Sequence, residues 1–440
     1  MRITALDVSR AVPGTLVGPD AVAHGICFDS RELVAGQAFV AIVGDRDGHM
    51  FIGDAIARGA AFVVTNEGMA VPGATCVETP GTVEALAGIA RMCRDRVDAR
   101  LQGRVVGITG SAGKTSTKNA VVAVLAGRWR EVAAPERSLN NDIGVPVTII
   151  NAADAVEAMV LEMGMRGFGE IERLCAMARP SIGVVTNVGD AHSARVGGVD
   201  GVAVAKGELV ESLPEHGHAV LNIDDHRVRL MASRTWANVV TYGAALGADV
   251  RWSVVETMPT GHVRARFEHD GDQVEAVPAS PGAHMAANAA AAVAVGLCTG
   301  MTLAECAAGI GREHVEPGRL VWRTAASGAR VLDDVYNANS TSMMAALDVL
   351  SSTSGTRRIA VLGRMHEIED ASAAHRAIAQ EARRRGIEVV AVETDLYGVP
   401  AIAVPDVEAH LGAGPGDVVL VKGSRASAME RVVAVLVTPG

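Results

Sequence analysis

Between residues 105 and 125 the chain reads Val105-Val-Gly-Ile-Thr109, then Gly110-Ser-Ala-Gly-Lys-Thr115, then Ser116 and a run of helix-compatible residues. The apolar run predicts a buried strand, and the glycine-rich turn after it opens straight into a helix. That order constrains the fold to a parallel α/β sheet with a phosphate cradle at its edge. Glycines let loop N–H groups close around an anion, and the helix N-terminus adds its partial positive charge. A strict P-loop pattern has glycine at position 108, where this chain has Ile108. The expectation is a site for ATP phosphates at Gly110, Ser111, Ala112, Gly113, Lys114, Thr115 and Ser116. Lys114 would reach the β/γ oxygens and Thr115 would ligate Mg2+.

Lys114 is one of four lysines among forty basic residues; the others are Lys118, Lys206 and Lys422. Arginine is always charged, whereas lysine can lose its proton, so a position that keeps lysine in this background asks for that property. Lys206 falls on an expected helix from Gly201 to Ser212. A neutral lysine there can take up carbon dioxide as a carbamate and become an anionic ligand. Lys118, four residues past Lys114, reads equally as a solvated helix residue.

The 440 residues suggest roughly three domains, and 49% hydrophobic content supplies several cores. A net charge of −10 excludes general nucleic-acid binding, since no basic excess exists to neutralise phosphates. Six scattered cysteines without a Cys-x-x-Cys pair point to a reducing compartment rather than a disulfide framework or zinc site. The N-terminus lacks a signal-peptide pattern, and the apolar run Ala289 to Cys298 is too short to span a bilayer. A cytoplasmic protein acting on small molecules as a monomer, away from membranes, is expected.

Apolar runs alternate with amphipathic stretches from about 104 to 224, at Val105, Ala158, Ile182 and Ala219, which predicts parallel α/β. A second alternation follows residue 320, at Val331, Ile359, Val389 and Val418. Between them, Val250 to Val277 reads as strands with turns at Thr260-Gly261 and Asp270-Gly271-Asp272, followed by an alanine-rich helix from about Gly282. The fold class expected is α/β in three domains: a small mixed unit over 1–100, a P-loop domain with a mostly parallel sheet over 101–317, and a Rossmann-like unit over 318–440. Ligands of open α/β sheets gather at the carboxyl ends of strands. Glu162 ends one strand there, and Thr186-Asn187-Val188-Gly189 with His192 ends the next, so both are candidate metal ligands.

From end to end these segments resemble the Mur ligase family. Asp29-Ser30-Arg31, Gly36 to Ala41 and Asp47-Gly-His49 are similar to its UDP-sugar domain. Gly107 to Ser116, Leu139-Asn140-Asn141 to Pro146, Glu162-Met-Gly164, Thr186 to Gly189 with His192, and Ala205-Lys206-Gly-Glu208 are similar to its ATPase domain. Gly282 to Asn288, Pro317-Gly-Arg319, Asp333 to Asn339, and Val421-Lys-Gly-Ser-Arg425 with Met429-Glu430 complete the resemblance. It implies an ADP-forming ligase that makes a C–N bond using ATP and Mg2+. The implied catalytic set is Lys114, Glu162, His192 and Lys206, with the metal on Thr115, Glu162, His192 and carbamylated Lys206. Asn288, Arg319 and Asp334 are implied to contact ATP. Ser30, Arg31, His49, Asn140, Asn141, Tyr336, Asn337, Asn339, Lys422, Ser424 and Arg425 are implied to contact substrate, and the C-terminal domain to bind the incoming amine.

Asp334-Val-Tyr-Asn-Ala-Asn339 is similar to the form in family members that add a dipeptide, and no Asp-Asn-Pro-Arg segment occurs. The implied reaction joins D-alanyl-D-alanine to UDP-N-acetylmuramoyl-tripeptide through an acyl-phosphate, in peptidoglycan synthesis. The chain departs from the family pattern at several points. Ser340 and Asp190 stand where proline is usual, Met285 stands for asparagine, and Gly363-Arg364-Met365-His366-Glu367 replaces Gly-Asp-Met-Leu-Glu. Two alternatives stay open: a related ligase of a specialised pathway with another acyl donor or amine, and a nucleotide-binding switch or scaffold. The joint presence of Glu162, His192 and Lys206 speaks against the scaffold.

Overall fold

The computed structural model describes residues 1–366 and 368–437, so Glu367 of the Gly363–Glu367 segment lies outside the described residues. Among them, the chain forms three α/β units around sheets of five, nine and six strands, with a separate two-stranded ribbon near the N-terminus.

In the nine-stranded sheet, Val105–Thr109 lies between Ala158–Glu162 and Ile182–Val185, all parallel. These strands are buried along their whole length, as helices on both faces of a parallel sheet require. Register decides what the sheet presents at its edge. Glu162 pairs with Ile108 and Val185 with Thr109, so the strands finish together and deliver Gly110, Glu162 and Thr186 to one place. Beyond His218–Asn222 and Asn238–Gly243 the sheet ends in an antiparallel meander, Val250–Thr257, Val263–His269 and Asp272–Ala276. Its turns fall where the glycines predict, with positive φ at Gly261, Asp270 and Gly271.

The P-loop helix, Lys114–Leu125, begins two residues before the expected Ser116 and packs on Ala283–Cys298. Alanines at 286 and 289–292 are buried there, and their small side chains let the two backbones approach. The helix carrying Lys206 spans Val199–Glu211.

The five-stranded sheet of the N-terminal unit is followed by a 20-residue helix, Thr82–Leu101. That helix packs against Gly144–Asn151 and Glu170–Ala178 of the next unit, so one apolar core runs through both. Asn151 stitches the seam by accepting from the Ile26 N–H at 2.7 Å and donating to the Ile26 carbonyl at 3.0 Å. Arg94 Nε donates across it to the Ala178 carbonyl at 2.9 Å.

The six-stranded sheet is parallel except for its edge strand, Val321–Thr324. Asp334 and Leu362 both pair with Lys422, which gathers a second carboxyl edge. Helices Ser340–Ser352 and Ala371–Arg384 cover one face, and this unit has its own apolar cores. No described helix is long and apolar enough to cross a membrane.

Candidate active site

The P-loop is held in shape by the strand end beside it. Asn187 Oδ1 accepts from the Ala112 N–H at 2.8 Å, and Thr186 Oγ1 donates to the Ala112 carbonyl at 2.7 Å. Ser111 N–H reaches the Asn187 carbonyl at 3.0 Å, and Ser111 Oγ accepts from Gly189 N–H at 2.8 Å. Gly110 and Gly113 are required by space: a Cβ at 110 would collide with Thr186 Oγ1, and one at 113 would lie 2.9 Å from Asn288 Oδ1. Lys114 Nζ folds back onto the Gly110 carbonyl at 2.6 Å.

Around the loop lies a cavity of about 440 Å³, walled by both the central and the C-terminal units. Of the sequence candidates it brings together Ser111 to Ser116, Asn140, Glu162, His192, Asn288, Arg319, Asp334, Tyr336, Asn337, Asn339 and Lys422. Glu162 is fully buried, and neither carboxylate oxygen has a hydrogen-bond partner among the described residues. An ionised carboxylate stripped of water and partners is costly, so this position fits a cation. Magnesium suits the donor set, since it is commonly held by one or two protein oxygens with waters and substrate phosphates completing its shell. No group of three or more His, Cys, Asp or Glu among the described residues forms an all-protein cage. His192 lines the same cavity from a left-handed backbone conformation, φ 64°, the kind of strain that functional positions retain.

Lys114 and Lys206 both lie deep, and burial lowers the pKa of each. For Lys114 the charge of Glu162 partly offsets burial; for Lys206 the nearby Lys114 lowers it further, well below the ordinary value. Both influences favour the uncharged form of the Lys206 amine over its ammonium.

On the opposite wall Arg319 stacks 3.8 Å from the Tyr336 ring centroid and donates to Ser138 Oγ at 3.2 Å. Ser138 Oγ also lies 3.3 Å from Thr115 Oγ1, so it joins the two walls. Nothing in the sequence reading marked Ser138, although it directly precedes the Leu139-Asn140-Asn141 segment. Thr117 Oγ1 donates to Asn288 Oδ1 at 3.2 Å, which seats Asn288 beside the cradle. His284 was equally missed as a single residue; burial first, and then the Lys422 charge, push its pKa down to about 4.

Several candidates make contacts within the protein. Lys422 Nζ is buried and donates to Asp334 Oδ2 at 2.6 Å and to the Asn337 carbonyl at 2.8 Å, so its charge is engaged within the protein. His49 uses both ring nitrogens internally, toward Asp47 at 2.6 Å and Asn66 N–H at 3.1 Å, which braces its loop. Asn141 Oδ1 accepts from Ile143 and Gly144 N–H at the start of a helix. Arg31 is exposed and paired with Asp29, Arg425 is exposed and paired with Glu430, and Ser424 is buried beside Ser427. Ser30 is buried outside the cavity. Lys118 is not solvated: it is buried, with Nζ 2.9 Å from the Pro135 carbonyl and 3.4 Å from Glu316.

Comparison with known proteins agrees with this geometry. The family model for the Mur ligase middle domain matches residues 108–296, and that for the Mur ligase glutamate ligase domain matches 318–425. The UDP-N-acetylmuramoyl-tripeptide--D-alanyl-D-alanine ligase of Mycobacterium tuberculosis is 34% identical, over 99% of this chain and 98% of its own length. Its Escherichia coli counterpart is 31% identical over the same shares. A crystal structure of MurF from Acinetobacter baumannii superposes with a TM-score of 0.88 at 26% identity, covering 99% of this chain and 98% of that one. MurF from Thermotoga maritima in complex with ADP gives 0.79 at 27% identity, covering 94% and 97%. With both family domains matched and relatives above 30% identity along its length, the chain belongs to the Mur ligase family, whose ATP-dependent members form C–N bonds.

Proposed function

We propose that this enzyme joins D-alanyl-D-alanine to UDP-N-acetylmuramoyl-tripeptide in the cytoplasm, at the expense of ATP, to make a peptidoglycan precursor. The observation that carries the reading is the make-up of the cavity. One wall offers a phosphate cradle with an unpartnered buried carboxylate, Glu162; the other offers Asp334 to Asn339 from a separate domain. A scaffold has no use for that carboxylate. Residues 1–100 would hold the UDP-sugar, 101–317 the ATP, and 318–440 the amine.

The tripeptide carboxylate oxygen attacks the γ-phosphorus, the bond to the β-phosphate oxygen breaks, and ADP leaves behind an acyl-phosphate. The dipeptide amine then attacks the acyl carbon, the C–O bond to phosphate breaks, and the amine gives up its proton as the amide forms. P-loop N–H groups and Lys114 spread the charge that develops on the transferred phosphoryl oxygens. Magnesium, held by Thr115, Glu162 and His192 with Lys206 as its carbamate, would neutralise phosphate charge there. The lowered pKa of Lys206 supports that modification, because the uncharged amine is the form that adds to carbon dioxide. Asn288, Arg319 and Asp334 would receive the nucleotide, with Tyr336, Asn337 and Asn339 nearest the junction of the two substrates. Enclosure between domains keeps water from the acyl-phosphate.

Arg364 favours one second reading, a ligase for another amine. The Arg364 carbonyl accepts from Ser424 N–H at 3.1 Å and Ser427 Oγ at 2.9 Å, which anchors its backbone at the C-terminal carboxyl edge, and the residue is exposed. The test is phosphate release from MgATP with UDP-N-acetylmuramoyl-tripeptide, with and without D-alanyl-D-alanine, with the product mass read. Release that needs both substrates and a UDP-pentapeptide product supports the first reading. Nucleotide binding without turnover moves the assignment to the second.

A further inference from the structure

Three contacts run side by side where the C-terminal unit meets the floor of the cavity. Asn339 Nδ2 donates to the carbonyl of Ser111, inside the P-loop, at 3.2 Å. Ser340 Oγ donates to Asp190 Oδ2. A Cβ on Gly189 would lie 2.5 Å from Thr341 Oγ1, so backbone and side chain are already in contact there. Asn339, Ser340 and Thr341 are consecutive and open the 13-residue helix Ser340–Ser352, whose Asn339 cap is closed by a reciprocal bond with Ser342. Gly189 and Asp190 are consecutive on the strand-end loop that clamps the P-loop and carries His192.

The middle contact has the chemistry of a latch. Asp190 places a carboxylate at the N-terminus of a helix from another domain, where the helix dipole favours negative charge. A hydroxyl bonded to a carboxylate is among the stronger neutral-to-charged hydrogen bonds. Asp190 Oδ1 is buried without a hydrogen-bond partner among the described residues, while Oδ2 accepts from the Ser340 hydroxyl. The Asp190 carbonyl accepts from Ser193 N–H at 3.0 Å, forming the turn in which His192 takes its left-handed conformation. Moving Asp190 therefore moves the His192 turn.

We infer that Ser340 and Asp190 are positioning residues: their bond registers the C-terminal domain against the His192 loop, so that the amine site closes over the acyl-phosphate before water reaches it. The inference rests on the ligase reading for its kinetic consequence and on geometry alone for the closure itself.

The test uses the full-length enzyme with Ser340→Ala, Asp190→Ala, the double variant and Ser340→Thr. A lost hydrogen bond to a charged group is worth about a ten-fold effect. Each alanine variant should lower kcat/KM for the amine about ten-fold and raise the phosphate released per amide formed. The Kd for ATP should hold within about two-fold in Ser340→Ala. The double variant should be no worse than the worse single one, and Ser340→Thr, which keeps the hydroxyl, should restore coupling. Multiplying defects in the double variant, or unchanged coupling in the singles, would overturn the inference. Solution X-ray scattering with bound ATP analogue separates the two levels of the argument. If the wild type fails to ligate the expected pair, a larger radius of gyration in Ser340→Ala still supports the latch, and an unchanged one removes it.

Discussion

Replacing Lys422 by methionine tests the claim that its charge is spent inside the protein. Lys422 Nζ lies 2.6 Å from Asp334 Oδ2, and both side chains are nearly buried. Burial already raises the Asp334 pKa, with Lys422 as the largest influence pulling it back. Removing one partner of such a pair costs about 3–5 kcal/mol, because the other charge is left stranded. For a C-terminal domain of about 120 residues that corresponds to a fall in Tm of about 10–20 °C. The loss should depend on pH in a set direction. Without Lys422 the Asp334 carboxyl rises further above its unfolded value of about 4. A carboxyl with a raised folded pKa favours the folded state below the unfolded value, and that stability is lost as pH rises through the folded pKa. The variant should therefore stand closer to wild type at pH 5 than at pH 8 when thermal unfolding is followed by circular dichroism. Adding Asp334→Asn removes the stranded charge and should recover at least half of the pH 8 loss. Equal losses at both pH values, or a double variant no better than Lys422→Met, would refute the reasoning.

Three further outcomes follow from the site. Mg2+ should raise the Tm of the wild type but not of Glu162→Gln, which should be more stable than wild type without metal and lose about 100-fold in turnover; a variant that still responds to Mg2+ removes Glu162 from the metal site. Lys206→Arg puts a fixed cation there that cannot form a carbamate, so turnover should fall at least about 100-fold. A carbamate carbon signal from 13C-bicarbonate should appear in wild type alone, and near-normal turnover in the variant sinks the proposal. His284, held at about 4 by burial, should contribute stability above its ordinary value of about 6.5 and lose it as pH falls from there toward 4. The ceiling is about 3 kcal/mol, and water in the cavity it lines reduces this to about 1–2 kcal/mol. His284→Gln should flatten that acid limb in urea titrations; superimposable pH profiles count against it.

Much of this was legible before the structure because parallel sheets advertise themselves. Runs such as Val105–Thr109 and Ala158–Glu162 are apolar on both faces, and a strand's last polar residue marks the sheet edge, which exposed Glu162 at once. The scarce lysines were informative for a physical reason, yet their fates differ. Lys114 and Lys206 lie deep with lowered pKa values, whereas Lys118 and Lys422 are tied to Glu316 and Asp334. Sequence could not tell these apart, since each partner is separated by tens to hundreds of residues. The same distance hid Ser138, which matters only because Thr115 and Arg319 converge on it. Asp190 and Ser340 each stood out singly as departures from a family pattern; that they touch is a property of the fold. For His49, carried over by resemblance, the fold adds internal partners for both ring nitrogens that the sequence did not indicate.

The core shared by the first two units has a mechanical consequence. Through Thr82–Leu101, the N-terminal and central units share one core and should unfold together, while the C-terminal unit, with its own cores, should unfold as a second body. The chain passes between them near Gly318 and Leu320, both with positive φ, and the remaining ties include Trp322 Nε1 to the Thr260 carbonyl at 3.1 Å. Heat or a damaging mutation in the C-terminal sheet would then produce a half-folded chain that still carries its phosphate cradle. Such a molecule would occupy nucleotide without ligating anything, so a failing copy would act as a sink for ATP instead of disappearing.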